Sequence, residues 1–369
     1  MPSDVYFSDM RTRSGRNLLD KVGTLFDKAG LGDLIEKGDF VAIKLHVGEP
    51  GNLAYLQPPI VRTIVQKVRA RGGKPFLTDS NTLYAGQRSN AVDHMISAVR
   101  NGFGYATVDA PFIVADGLHG HDYIKVPVDG KRIKEARIGS AIAEADVLIA
   151  LSHVKGHEGA GFGGAIKNIG MGSASRAGKQ EQHSDIKPKV DTAKCKMCGR
   201  CVKWCPAGAI NFAPGRPARI DSSKCIGCAE CTISCLHEAI GVNWSSSELA
   251  GFQERMVEYA LAVTKTKDGK CGFMNFVMNV SPDCDCAPWN DVPIVPNQGI
   301  LASRDPVAID QASVDLINAA PGLPGTRLSG AVNSNDKFGT IHKVDWRIQL
   351  VHGEEIGLGS TSYDLITIR

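Results

Sequence analysis

Eight of the eleven cysteines fall in two runs of the same form. The first is Cys195-x-x-Cys198-x-x-Cys201-x-x-x-Cys205-Pro206, and the second is Cys225-x-x-Cys228-x-x-Cys231-x-x-x-Cys235. Cysteines with two or three residues between them in a reducing compartment serve metals rather than a disulfide framework. Two complete four-thiolate runs predict two 4Fe-4S clusters and therefore one-electron chemistry. Zinc on the same thiolates is the alternative, and the near-repeat of the whole run weighs against it. Gly199, Gly227 and Ala207-Gly208 supply tight turns that aim backbone amides at cluster sulfurs.

The spacing is that of bacterial-type two-cluster ferredoxins, in which the fourth cysteine of each run ligates the other cluster. The expected sets are thus Cys195, Cys198, Cys201 and Cys235 for one cluster, and Cys225, Cys228, Cys231 and Cys205 for the second. Leu236 stands where a second proline is expected, which leaves the ligand intact.

A second group of chemistry-bearing residues lies upstream: His153, Lys155, His157, Lys167, Arg176 and His183, threaded through a glycine-rich stretch that includes Gly163 and Gly164. It follows an apolar strand pattern directly, which places it at a strand's carboxyl end, the usual ligand position in open α/β sheets. The glycines suit a backbone approaching a ligand, although turns and packing alone also use such stretches. His157 suits proton transfer, and Lys155, Lys167 and Arg176 suit an anionic substrate or cofactor. Cys284 and Cys286, flanked by Asp283 and Asp285, offer two thiolates to one metal or are buried, inert cysteines. Cys271 has no partner at useful spacing and reads as a packed strand residue. Lys44, His46 and Glu49 follow one strand pattern, and Asp79, Asn81 and Tyr84 follow the next; together with His94 they mark the lining of one crevice.

The elements that must position these groups alternate. Val41–Ile43 and Leu45 read as a buried strand, and Ile60, Val61, Ile64, Val65 and Val68 as a helix face closed by Gly72-Gly73. Lys74–Asp79 is the next strand. Ser89 reads as the cap of a helix whose apolar face is Val92, Met95, Ile96 and Val99. Asp146–Leu151 is a buried strand. After the cysteine runs, Ser247 starts an amphipathic helix through Met256, Tyr259, Leu261 and Val263, Gly272–Met278 is a strand, and Asp305-Pro306 opens the helix Val307–Ala319. The alternation predicts an α/β fold with a mostly parallel sheet covered on both faces. The simplest organisation is one discontinuous domain, 1–186 plus 245–369, interrupted by a ferredoxin-like module at 187–244.

That module carries nine Lys/Arg against four Asp/Glu, 9 − 4 = +5, so from the chain's net +3 the remainder is +3 − 5 = −2. A basic surface beside clusters suits an acidic electron donor or acceptor protein, or simply keeps the module soluble. The whole-chain balance argues against nucleic acid as a partner. With 369 residues, 43% hydrophobic and 22% charged, composition is that of a soluble globular protein. No apolar run approaches the roughly 18 residues of a membrane helix, and the charged N-terminal residues lack a signal-peptide core. The expectation is a cytoplasmic protein of an anaerobic or oxygen-avoiding host.

His153-Val-Lys-Gly-His157, Gly161-Phe-Gly-Gly-Ala-Ile-Lys-Asn168, Ser281-Pro-Asp-Cys-Asp-Cys286 and Gly299-Ile-Leu-Ala-Ser303-Arg-Asp-Pro-Val-Ala-Ile-Asp310 resemble the family labelled domain of unknown function 362, over nearly the whole length. The run from His157 through Lys167 to His183 is also similar to the active-site segment of nickel-dependent lactate racemase. That resemblance implies an acid–base role for His157, a cofactor contact for Lys167 and a metal-ligand role for His183. Ser173 and Asp79–Thr82 depart from the racemase's other motifs.

The preferred expectation is a redox protein passing electrons from two clusters to a ligand, metal or substrate in the crevice. There His153, His157 and Lys167 would be catalytic, Lys155, Gly163, Gly164, Arg176 and Asp79 would bind a cofactor, and His183, Cys284 and Cys286 would hold a further metal. The alternatives are an electron relay without an active site, and a nickel-dependent racemase-like enzyme acting on a 2-hydroxy acid.

Overall fold

The computed structural model describes residues 2–84, 86–183, 188–205, 207–225, 230–237, 239–241 and 249–368. Pro206, Gly227, Cys228 and Ser247 therefore lie outside the described residues. The chain opens with β1 (Ser3–Asp9), α1 (Leu18–Lys28), β2 (Phe40–Lys44), α2 (Pro58–Ala70), β3 (Lys74–Asp79), α3 (Ala91–Arg100), α4 (Tyr105–Val108) and β4 (Phe112–Val114). A hairpin of β5 (Tyr123–Pro127) and β6 (Glu135–Gly139) leads through α5 (Ser140–Glu144) into β7 (Val147–His153). A second hairpin, β8 (Lys155–His157) with β9 (Gly161–Gly163), precedes α6 (Ala165–Ser173) and α7 (Arg176–Gln182).

Next come β10 (Lys189–Val190), α8 (Arg200–Lys203), β11 (Ile210–Asn211), β12 (Arg219–Ile220), α9 (Glu230–Ser234) and β13 (Ile240–Gly241). The chain ends with α10 (Leu249–Lys265), β14 (Cys271–Val277), β15 (Gly299–Ser303), α11 (Pro306–Ala319), α12 (Lys337–His342), α13 (Arg347–Glu355) and β16 (Tyr363–Thr367).

Eight strands form one sheet in the order β16-β1-β15-β14-β7-β2-β3-β4. From β14 to β4 every neighbouring pair is parallel, as buried apolar strands joined by helices require. β15 runs antiparallel to both β1 and β14, an inversion that strand patterning does not announce. Alternate residues of the central strands feed two separate cores. Ala42, Leu148, Ala150 and Phe273 pack on one face, and Val41, Ile43, Ile149 and Met274 on the other. Strand periodicity of two thus serves a sheet covered on both sides.

The α2 face falls where its spacing predicts, with Ile60, Val61, Ile64, Val65 and Val68 all buried. Asp305 caps α11 by accepting from the Val307 and Ala308 amides at 2.8 and 2.9 Å. Helix α3 departs from expectation. Its cap is Asn90 rather than Ser89, accepting from the Asp93 amide at 3.0 Å. Its inward face is Ala91, His94, Ser97 and Ala98, while Val92, Met95, Ile96 and Val99 are exposed. The cause is polar partners beneath it: Ser97 donates to the Gln87 carbonyl at 2.9 Å, and His94 lies beside Asp79.

Residues 188–241 contribute no described strand to the large sheet. β10 pairs antiparallel with β13 and β11 with β12, around a small core of Cys201, Ile210, Ala218, Cys231 and Ile240. Among the described residues no helix is long and apolar enough to cross a membrane.

Candidate functional site

The parallel strands β14, β7, β2 and β3 end side by side, and the loops beyond them gather most of the residues singled out by spacing. Beyond β7 the chain folds at once into the β8–β9 hairpin, and glycines make this possible. A Cβ on Gly156 would fall 2.0 Å from the Pro282 carbonyl oxygen, so the hairpin lies backbone against backbone on the Ser281–Cys286 loop. A Cβ on Gly164 would fall 2.2 Å from the Asp310 carboxylate. That carboxylate accepts from the Ala165 and Ile166 amides at 2.6 and 2.9 Å and from the Asn275 side chain at 2.7 Å, capping α6 from a distant helix. Burial raises Asp310 to about 6 despite these donors. Gly164 is thus occupied with Asp310, and a Cβ on Gly163 would meet the Lys167 stem at 2.9 Å. Asp310 stood in a recognisable motif, yet nothing in its spacing marked it as a cap 145 residues away.

The turn after β14 is held by Asp285, which is fully buried. His153 Nδ1 and Lys155 Nζ lie 2.8 and 3.0 Å from its two carboxylate oxygens. His153 Nε2 is engaged as well, by the Met278 and Asn279 carbonyls at 3.0 and 3.1 Å. Both residues therefore tie β7 and β8 to the loop.

Either side of Asp285 stand Cys284 and Cys286, and Lys167 Nζ is 3.6 Å from Cys284 Sγ. A hydrogen bond from Cys286 lowers the Cys284 thiol pKa and raises that of Cys286, with Lys167 favouring the Cys284 thiolate. Burial disfavours the Lys167 ammonium, but the two sulfurs outweigh it and its pKa is raised. Cys271, by contrast, is pushed up to about 12 by burial in β14.

His157 accepts from the Gly159 and Ala160 amides through Nδ1, both at 3.1 Å, so its proton sits on Nε2. Burial first, then Lys167, pushes its pKa down to about 3. His183 donates from Nδ1 to the Lys179 carbonyl at 2.6 Å, the tautomer that leaves the lone pair on Nε2, and burial lowers it to about 4. Both rings pack against Phe252, at centroid distances of 6.2 and 4.7 Å. Among the described residues, no three His, Cys, Asp or Glu side chains gather tightly enough for a single metal ion.

Asp79 sits deeper. Lys44 at 3.0 Å and Arg88 at 3.4 Å hold its carboxylate, and Arg88 also pairs with Glu49 at 2.8 Å. Burial works against that carboxylate, but the Lys44 charge and its neighbours hold it below the ordinary range. Asp79 thus serves a buried ion network that also positions Asn168, whose side-chain oxygen accepts from Lys44 at 2.8 Å. Arg176 is turned elsewhere: its amide meets Asp116 at 3.2 Å and its guanidinium the Leu83 carbonyl at 3.4 Å.

In the cysteine-rich segment, Cys195, Cys198, Cys201 and Cys235 line a single pocket with Val190, Met197, Gly199, Phe212 and Ile240 among its other walls. The Ala209 amide donates to Cys205 Sγ at 3.2 Å and the Ala239 amide to Cys235 Sγ at 3.4 Å. Gly199 adopts φ +66°, and a Cβ there would meet the Phe212 ring at 3.0 Å.

A family model described as Domain of unknown function (DUF362) matches residues 41–315. Among curated proteins, the thylakoid-associated protein sll1697 of Synechocystis sp. is 25% identical over 174 residues, 45% of this chain and 47% of its own. The chain therefore spans about half the length of that relative. Among solved structures, the lactate racemase apoprotein from Thermoanaerobacterium thermosaccharolyticum aligns with 75% of this chain and 51% of its own, at 13% identity and a TM-score of 0.39.

Proposed function

The chain belongs to the domain of unknown function family DUF362, and on that premise we propose that it is an iron–sulfur redox protein whose electrons are used in the crevice around Cys284, Lys167 and His157. The observation that carries the reading is the pocket shared by Cys195, Cys198, Cys201 and Cys235: three thiols of one run with the fourth of the other. A zinc ion would draw its four thiolates to a common point about 2.3 Å away. A 4Fe-4S cluster takes four thiolates around a body of several atoms, which agrees with four thiols lining one pocket. The amides aimed at Cys205 and Cys235 sulfur are the donors that stabilise ligated thiolates. The second set is Cys225, Cys228, Cys231 and Cys205, and bound clusters would supply one-electron transfer.

In the crevice, Lys155 and His153 are positioning residues for the Asp285 turn. Lys167 is the cation beside the thiols and the group suited to an anionic small molecule. His157, neutral and protonated on Nε2, is suited to donate a hydrogen bond rather than to carry charge. Phe252, in ring contact with both His157 and His183, links the crevice wall to the end of α7, after which the cysteine-rich segment begins.

Anaerobic reconstitution followed by iron analysis tests the reading. The full chain should hold about eight irons, and Cys201→Ser should lose about four. About four irons or fewer in the unsubstituted chain rules the two-cluster reading out.

A further inference from the structure

We infer that Cys284 and Cys286 form a reversible dithiol–disulfide couple, the two-electron acceptor of the crevice; the inference rests on the iron–sulfur reading for its source of electrons. Both cysteines are free in this structure. They occupy the first and third positions of a turn closed by the Ala287 amide on the Cys284 carbonyl at 3.0 Å. Residues so placed bring their Cα atoms within the roughly 4.4–6.8 Å that a disulfide spans. The turn thus sets the two side chains on one short loop, with the Lys167 ammonium beside the first of them.

The turn is fixed from several sides. Asp285, between the cysteines, is clamped by His153 and Lys155 at 2.8 and 3.0 Å. Its carbonyl accepts from the Glu49 amide at 3.0 Å, and the Cys286 carbonyl from the Tyr84 hydroxyl at 3.2 Å. The clamps hold both sulfurs in one place while they react. Lys167 Nζ, 3.6 Å from Cys284 Sγ, favours a thiolate there over a thiol. The same ammonium opposes a metal cation bridging the two sulfurs. Cys284 is buried and Cys286 half-buried, so Cys286 is the sulfur a reaction partner reaches.

The step balances within these groups. The S–S bond breaks as two electrons arrive, one at a time, from an iron–sulfur donor. Cys284 leaves as a thiolate beside Lys167, and Cys286 takes one proton from solvent. In the reverse direction Cys286, its proton lost to solvent, attacks one sulfur of a small disulfide and expels a first small thiolate. The Cys284 thiolate then attacks Cys286, closes the S–S bond and expels the second, so the small disulfide takes both electrons and no further co-reactant is needed.

Trypsin releases residues 271–304 as one peptide carrying Cys271, Cys284 and Cys286 and no other cysteine. The reconstituted full chain is equilibrated anaerobically with reduced and oxidised dithiothreitol at varied ratios. It is then unfolded in iodoacetamide and the peptide weighed. Three labels under reducing buffer and one, on Cys271, under oxidising buffer, interconverting reversibly, is the expected result. Three labels at every ratio overturns the couple. Cys284→Ser should keep its two remaining labels throughout; a label lost there means another pairing and also overturns it. Lys167→Gln should shift the midpoint about tenfold toward the disulfide, about 30 mV; an unshifted midpoint removes Lys167 from the couple. Iron is counted on the same samples. Eight irons with no label change sinks the couple alone, whereas a label change without iron sinks the cluster reading and with it the proposed source of electrons.

Discussion

His94 is the residue whose chemistry was least visible in its neighbours along the chain. Read from the sequence only as one of several residues marking a crevice, it is fully buried, its Nε2 3.8 Å from Asp79 and its ring 5.4 Å from Phe112. Neither ring nitrogen has a hydrogen-bond partner among the described residues. Burial dominates and lowers its pKa to about 3, against the attraction of Asp79. An unfolded chain takes the proton near pH 6.5, well before the folded one does. His94 therefore costs no stability above about pH 6.5, and stability is lost as pH falls from there toward 3. At pH 5 the loss is about 2 kcal/mol, from 1.36 kcal/mol for each pH unit below 6.5. The fall in thermal midpoint between pH 7 and pH 5 should accordingly be smaller in His94→Gln than in the unsubstituted protein. Equal falls in the two would show that His94 does not set this acid sensitivity. The same burial surrounds Asp79, whose carboxylate pairs with Lys44 and Arg88.

At the scale of elements, helix α6 and helix α3 make opposite cases. The start of α6 has no cap of its own, because the cap position is Gly164, and Asp310 of α11 does that work. Asp310→Ala leaves the Ala165 and Ile166 amides without their acceptor, takes one acceptor of several from the Asn275 side chain, and should cost about 2–4 kcal/mol. Val99→Lys on the exposed face of α3 should stay within about 0.5 kcal/mol. Shifts in thermal midpoint measured side by side check this, and an Asp310→Ala shift no larger than that of Val99→Lys would refute it. Helix α2 was legible because its apolar stripe is uninterrupted and one core covers it. Helix α3 was misread because its apolar stripe is the exposed one, and a polar layer beneath turned the Ala91, His94, Ser97 and Ala98 face inward. The glycine-rich segment was legible as a place where backbone comes close to something. What comes close is Pro282, Asp310 and Trp346 of the same chain, which no local spacing reports.

For the whole molecule, alternation of strands and helices was enough to read a largely parallel sheet, because buried parallel strands leave continuous apolar runs. Strand order was not readable: β15 inserts antiparallel between β1 and β14, and β16 returns to pair with β1. Both place a late strand against β1, in pairs such as Tyr6 with Ala302 and Ser3 with Tyr363, which carry no local pattern. The interruption at 187–244 was read from composition and cysteine spacing, and its relation to the rest can be tested as a unit. Val190 pairs with Ile240 and Lys189 with Gly241, so the two ends of the segment run side by side. Its small core shares no residue with the two cores of the sheet. Adjacent ends mean that a short linker closes the gap at little cost in loop entropy. Replacing residues 189–241 by a Gly-Ser linker of about four residues should therefore leave a protein that binds no iron and still unfolds in one cooperative transition, with the far-ultraviolet signature of the α/β body. Loss of cooperative unfolding in the excised chain, with the full chain still cooperative, would mean that the cysteine-rich segment is part of the body's folding unit and not an insertion into it.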